Sequence, residues 1–197
     1  MGQLFSGIGV VLGASISCFA QAATIHVSPT QNLQTILDGA NAGDQIVLAK
    51  GRYEGNFVLP VSLELTGEDG VVLDAQGEDH ALEVKGVDSY IHDIRIINWG
   101  DDLTDLDSGI FVHKSAANTR IEGTFLQGGG FGIWVDATPG VRIIENKVEG
   151  DLNLRSSDRG NGIHLFNVSG ALAKDNEVWH TRDGIYIDTS NGNVLIG

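Results

Sequence analysis

Gly184-Ile185-Tyr186-Ile187-Asp188 recurs in near-copy at Gly109-Ile110-Phe111-Val112-His113, Gly132-Ile133-Trp134-Val135-Asp136 and Gly162-Ile163-His164-Leu165-Phe166, with a weaker copy at Ala81-Leu82-Glu83-Val84-Lys85. From Ala81 onward the copies stand 28, 23, 30 and 22 residues apart, the irregular spacing of a solenoid. Each copy reads as a short strand behind a small residue. In a strand the first and third residues after the glycine share one face and the second and fourth the other. Ile110, Ile133, Ile163 and Ile185, with Val112, Val135, Leu165 and Ile187, therefore form an internal ladder. One coil cannot bury such a strand alone, but the coils above and below it, each ~4.8 Å away, can.

The opposite face presents two outward columns: Phe111, Trp134, His164 and Tyr186 in one, His113, Asp136, Phe166 and Asp188 in the other. An aromatic outer strip is suited to docking a protein or stacking sugar rings, unless an insertion covers it.

Outward from the pentads, the same pattern continues. Thr24-Ile25-His26-Val27 alternates as a first strand, and Leu33, Ile36, Leu37 and Ala40 fall at helical spacing. Such a helix, closed by Gly43, suits a cap over the open end of the first coil. Strands follow at 45–48, 56–59, 62–65 and 71–73. The later coils carry a second strand: 141–148 aligns with 171–178 and, less closely, with 119–126 and 89–96. Asn146 and Asn176 fall in register there, so their amides are expected to bond from coil to coil. The architecture predicted is all-β, a right-handed single-stranded parallel β-helix with a short N-terminal capping helix.

The chain has 197 residues, 27 glycines, three prolines and a formal charge of -14. Glycine suits the many corners of a coil, and the acidity argues against nucleic acid and against an anionic membrane surface. Acidity also simply keeps a secreted protein soluble. Leu4 to Ala20 is apolar and ends at Ala20-Gln21-Ala22, an A-x-A cleavage site, so 1–22 reads as a signal peptide and 23–197 as the β-helix domain. Cys18, the one cysteine, lies inside that leader, as does the one methionine, so the mature chain offers neither a disulfide nor a sulfur ligand for Cu(I). The last residues, Asn193 to Gly197, read as the middle of a coil, which predicts a longer solenoid truncated at its C-terminus.

Two insertions interrupt the coils. Trp99 to Asp107 holds Asp101, Asp102, Asp105 and Asp107, a set suited either to a hard cation such as Ca²⁺ or to a solvated acidic loop. Gly150 to Asn161 holds Arg155, Asp158 and Arg159 and is expected on the same side, where partners dock. Among the histidines, His113 shares a column with Asp136, and His113 and His164 are the candidate metal ligands. Asp136 and Asp188, two coils apart at ~9.6 Å, suggest a carboxylate pair for glycoside chemistry, although no basic residue nearby would orient a uronic acid.

The segments Ala42-Gly43-Asp44-Gln45-Ile46-Val47-Leu48, Gly51-Arg52-Tyr53, Asp107 to Val112, Arg159-Gly160-Asn161-Gly162-Ile163 and Arg182 to Ser190 together resemble the NosD family of nitrous oxide reductase maturation proteins. The resemblance runs from about Thr24 to Gly197. It implies a non-catalytic periplasmic assembly factor whose partners are the membrane and ATPase components of an ABC transporter and nitrous oxide reductase, whose copper-sulfur site it helps to supply. Any membrane association would run through the transporter. The family's association with copper finds only histidines and carboxylates in this segment, so direct copper binding stays open. The alternative is a polysaccharide-binding or polysaccharide-modifying β-helix.

Overall fold

The computed structural model describes residues 21–197, so the signal peptide assigned to 1–22 lies, except for its last two positions, outside the described residues. Among the described residues twenty short strands form three parallel sheets, and from Gln45 onward the chain visits them in the same order in every coil. The first sheet runs through Thr24–Val27, Gln45–Leu48, Glu64–Gly67, Tyr90–His92, Arg120–Glu122, Arg142–Ile144, Leu172–Lys174 and Val194–Ile196. The second holds Gly51–Glu54, Val71–Asp74, Arg95–Ile97, Phe125–Gly128, Lys147–Gly150 and Glu177–Trp179. The third holds Phe57–Leu59, Leu82–Val84 and the four pentad strands Ser108–Val112, Phe131–Asp136, Ile163–Phe166 and Ile185–Asp188. The predicted β-helix is the fold.

The pentads lie directly over one another. Ile110 pairs with Ile133, Ile133 with Ile163 and Ile163 with Ile185, and the second column runs Val112, Val135, Leu165, Ile187. Both columns are sealed from solvent through Ile163 and Leu165, and each such side chain contributes roughly 1.5–3 kcal/mol by its burial. Ile187 is 44% exposed, because no described strand pairs on the far side of Ile185–Asp188.

The sequence predicts one continuous second strand over 141–148, and the structure corrects this. Arg142–Ile144 and Lys147–Gly150 belong to different sheets and are separated by two residues, of which the first, Glu145, is left-handed at φ 54°. Asp93, Gly123 and Asp175 make the same bend in neighbouring coils. A one-residue left-handed corner turns the chain sharply enough to change sheets, and the next side chain then points inward.

That inward position carries the asparagine ladder. Asn146 Oδ1 accepts from the Thr124 amide at 3.0 Å and from its hydroxyl at 2.8 Å, while Asn146 Nδ2 donates to Ile121 O and to Asn176 Oδ1. Asn176 Nδ2 repeats the pattern on Ile143 O at 2.8 Å. The predicted bonds from coil to coil are present, with Thr124 as a third member.

The helix is Leu33–Gly39, begun by Asn32, whose side-chain oxygen accepts from the Thr35 amide at 2.9 Å. Leu33 and Leu37 are buried on the first coil. Gln34 also accepts from Val58 N and donates to Val58 O, so its amide stands in for a missing neighbour at the edge strand Phe57–Leu59. The helix thus covers both the apolar end and an edge that would otherwise invite pairing. No helix among the described residues is long and apolar enough to cross a membrane.

Candidate functional site

Long excursions concentrate at one corner, the passage from the second sheet to the third. Residues 75–81, 98–107 and 151–162 all leave the coil there, whereas the passage from the first sheet to the second takes two or three residues. The two insertions meet over Gly129: a methyl built on it would lie 2.9 Å from Leu154 Cδ1 and 3.1 Å from Asp101 Cβ. The expectation that they share a side is met. Beside them opens a groove of about 900 Å³ whose wall includes Arg52, Asp74, Trp99, Gln127, Glu149 and Asp151.

The groove's inner carboxylates are engaged by the fold. Asp74, fully buried, pairs with Arg52 and accepts from Asn98 Nδ2 at 3.1 Å and from the Gln76 amide at 2.9 Å. Gln127 bridges Arg95 and Glu149, each at 3.0 Å, and Glu149 faces His180 Nδ1 at 3.4 Å.

The aromatic column is in the predicted register but is not a free surface. Phe111 pairs with Trp134, Trp134 with His164 and His164 with Tyr186, yet Phe111, Trp134 and His164 are all buried. Leu103 and Leu106 of the acidic insertion pack with Phe131 against Phe111 and Trp134. The rings are closely stacked: His164 lies 3.9 Å from Trp134 and 4.9 Å from Tyr186 between centroids, and Phe131 meets Trp134 edge-on at 4.7 Å. Alternation places a side chain outside the coil; it does not show what lies over it. Only Tyr186 and, in the adjoining column, Phe166 remain open as large rings, with Asp136 and Asp188 half-buried beside them. Sugar stacking on Trp134 is thereby closed off.

His164 is held at Nδ1 by Asn161 Nδ2 at 3.1 Å, and its Nε2 is buried without a partner. Burial, partly offset by the Asp188 charge, lowers its pKa from 6.5 to about 4, so it is neutral at pH 7. Because the folded value lies below the unfolded one, the unfolded chain takes up the proton first as pH falls. Stability is therefore lost between about pH 6.5 and pH 4. Urea unfolding at pH 7 and pH 4.5 should show the native chain losing on the order of 2 kcal/mol more than His164→Phe, which keeps the ring stack. Equal losses would place the proton elsewhere.

Neither His113 nor His164 belongs to a grouping of three or more potential metal ligands among the described residues. The Nδ1 of His113 accepts from the Ser115 amide and lies 2.9 Å from the Ser115 hydroxyl, and His164 is enclosed by rings. Nor do the four loop carboxylates converge on one point. Asp102 caps its own turn through the amides of Thr104 and Asp105, which lower its pKa, and Asp101 and Asp105 face solvent. Asp107 turns inward, accepts from the Asp102 amide at 3.0 Å, and lies with Asp79 and His80, the one grouping of three potential ligands among the described residues. In the second insertion Arg155 pairs with Asp158 at 2.7 Å. Arg159 ties the loop down by donating to Leu154 O and His180 O. Leu103, Leu106 and Phe131 are the site residues that sequence reasoning missed; two leucines three apart inside an acidic loop were the available signal.

A family model for the right-handed beta helix region matches residues 79–196. A Pseudomonas aeruginosa protein named "Probable ABC transporter binding protein NosD" is 46% identical over 162 residues, 82% of this chain and 37% of that protein. A Stutzerimonas stutzeri protein of the same name is 44% identical over 70% of this chain and 31% of its own length. The chain thus spans about a third of these curated relatives. Among solved structures, a glycosyl-hydrolase-type protein from Parabacteroides merdae superposes with a TM-score of 0.70 at 14% identity, covering 88% of this chain and 93% of that one. An alginate lyase of the PL6 family gives 0.61 at 14% identity, over 91% and 29%. At such identities the solved structures establish the fold alone. The chain belongs to the right-handed β-helix family, and the relatives it resembles over most of its length carry the name NosD.

Proposed function

We propose that the chain is a periplasmic, NosD-type accessory protein that binds an ABC transporter and helps to mature the copper-sulfur site of nitrous oxide reductase, without catalysing a reaction itself. The observation that carries this reading is the 46% identity, over 82% of the chain, to a protein named for binding an ABC transporter. The geometry supports it. The groove's inner carboxylates are bonded to Arg52, Asn98, Gln127 and backbone amides rather than poised for proton transfer, and the would-be sugar platform at Trp134 is covered. Copper, in this reading, is delivered through the partners. Between residues 23 and 197 there is no sulfur ligand, and Cu(I) prefers sulfur.

The partner-facing surface is what the insertion leaves uncovered: Phe166 and Tyr186, flanked by Asp136 and Asp188, a pair of exposed aromatics within an acidic rim. The test is a pull-down from denitrifying membranes and periplasm. The native chain is expected to retain transporter subunits, and a Phe166→Ala, Tyr186→Ala double variant to retain less than about a tenth as much. Failure of the native chain to retain any transporter or reductase component would overturn the proposal, and saturable retention on alginate or pectin instead would return the polysaccharide reading.

A further inference from the structure

We propose that Asp79, His80 and Asp107 form a divalent-cation site that fastens the 98–107 insertion to the 75–81 turn of the preceding coil. One ligand atom from each lies within 4.8 Å of the other two, and the residues come from two consecutive coils at the same corner. His80 Nδ1 is sealed from solvent and has no hydrogen-bond partner; a buried nitrogen in that state is costly unless something binds it. Its approach to Asp79 Oδ1 is 3.8 Å, too long for a hydrogen bond. Two ligands at ~2.1 Å from one ion stand at most about 4.2 Å apart, so 3.8 Å is a separation that an ion between them would produce.

The surroundings hold these groups in place. The His80 ring lies flat on Phe111, centroids 4.4 Å apart and planes 13° off parallel, which fixes the direction of Nδ1. Asp107 is buried and anchored through the Asp102 amide, and its carboxylate occupies the space that a side chain at Gly100 would take. The Gly100 amide donates to Asp79 O at 3.0 Å and joins the loops from the backbone side. Asp79 is exposed, and its Oδ1 accepts from the His80 amide at 2.7 Å, which keeps that carboxylate beside the imidazole. Burial pushes the Asp107 carboxyl up, with the Asp79 charge adding to the shift, and pushes the His80 imidazole down. A cation at their centre would offset the cost of the buried Asp107 carboxylate, and the burial of His80 favours the neutral ring that a metal needs.

The donor set selects the ion. One imidazole with two carboxylates suits Zn²⁺, with solvent completing the shell; Ca²⁺ wants six or more oxygens and Cu(I) wants sulfur. Binding would hold Leu103 and Leu106 down over Phe111 and Trp134, so the ion would act on the lid of the aromatic column.

The experiment is calorimetric titration of the untagged chain carrying Cys18→Ser, which removes its one thiol, with Zn²⁺ and in parallel with Ca²⁺. Expected are one Zn²⁺ per chain, Ca²⁺ weaker by at least about tenfold, and a similar loss of Zn²⁺ affinity in Asp79→Asn and in His80→Gln. Zn²⁺ should raise the unfolding temperature of the parent but not of Asp79→Asn. Asparagine tolerates the left-handed backbone at that position, φ 47°, so this variant is expected to fold. Absence of saturable one-to-one binding, equal binding in the parent and both variants, or Ca²⁺ binding as tightly as Zn²⁺ would each overturn the site.

Discussion

Gly132→Ala is expected to destabilise the chain by about 3 kcal/mol, while Gly184→Ala, the same repeat position two coils later, stays within about 1 kcal/mol of the parent. A methyl on Gly132 would fall inside 3.0 Å of both Val148 Cγ1 and the Gly162 carbonyl oxygen. Gly109 and Gly162 repeat the arrangement, each opposed by the carbonyl of the next pentad's glycine and by the aliphatic Leu126 or Val178. None of the three has a positive φ, so the glycine serves close approach of coil to coil and not a turn. Gly184 meets nothing within 4 Å. Ala81 stands one rung earlier and is buried without difficulty, so the exclusion is local rather than a property of every coil. Urea titration of both variants decides it, with thermal midpoints falling roughly 6–12 °C for Gly132→Ala. Equal effects of the two substitutions would mean that glycine recurs for conformational freedom alone.

The pentads were legible because alternation and recurrence are properties of the string: Ile110, Ile133 and Ile163 had to share a face whatever the coil looked like. Asn146 and Asn176 were legible for the same reason. The corner between the first and second sheets was not, because Glu145 in the left-handed region is no turn signal, and 141–148 therefore reads as one strand. Gly51–Glu54 was hidden likewise, because a glycine and two charges carry no strand signal. At the candidate site the limit was different. Phe111, Trp134 and His164 were placed correctly on the outside of the coil, but whether Leu103 and Leu106 reach them depends on how an insertion folds back, which no periodicity encodes. His80 and Asp107 are 27 residues apart in a chain whose coils vary in length, so their meeting could not be read before the corner was located.

Asn146→Leu is expected to cost about 3 kcal/mol, Asn176→Leu about 1 kcal/mol less, and Thr124→Val about 1 kcal/mol in all. Leucine keeps the branched skeleton of asparagine but is bulkier, so some overpacking adds to the lost hydrogen bonds. Asn146 is fully buried, and its removal strands the Thr124 amide and hydroxyl, the Ile121 carbonyl and one bond of Asn176 Oδ1. Water cannot reach the Thr124 amide to replace them, since Thr124 is itself buried. Asn176 is half-buried, so solvent can satisfy part of what its replacement leaves open. The ordering matters more than any single value. If the ladder holds the coils in vertical register, the loss should follow the number of buried groups left without partners, and amide exchange should quicken first at Thr124 in Asn146→Leu and at residue 146 in Asn176→Leu, the amides that donate to the two side chains. Were Asn146→Leu neutral, the stacking of aliphatics would alone set the register, and the asparagines would be passengers at a corner fixed by Glu145 and Asp175.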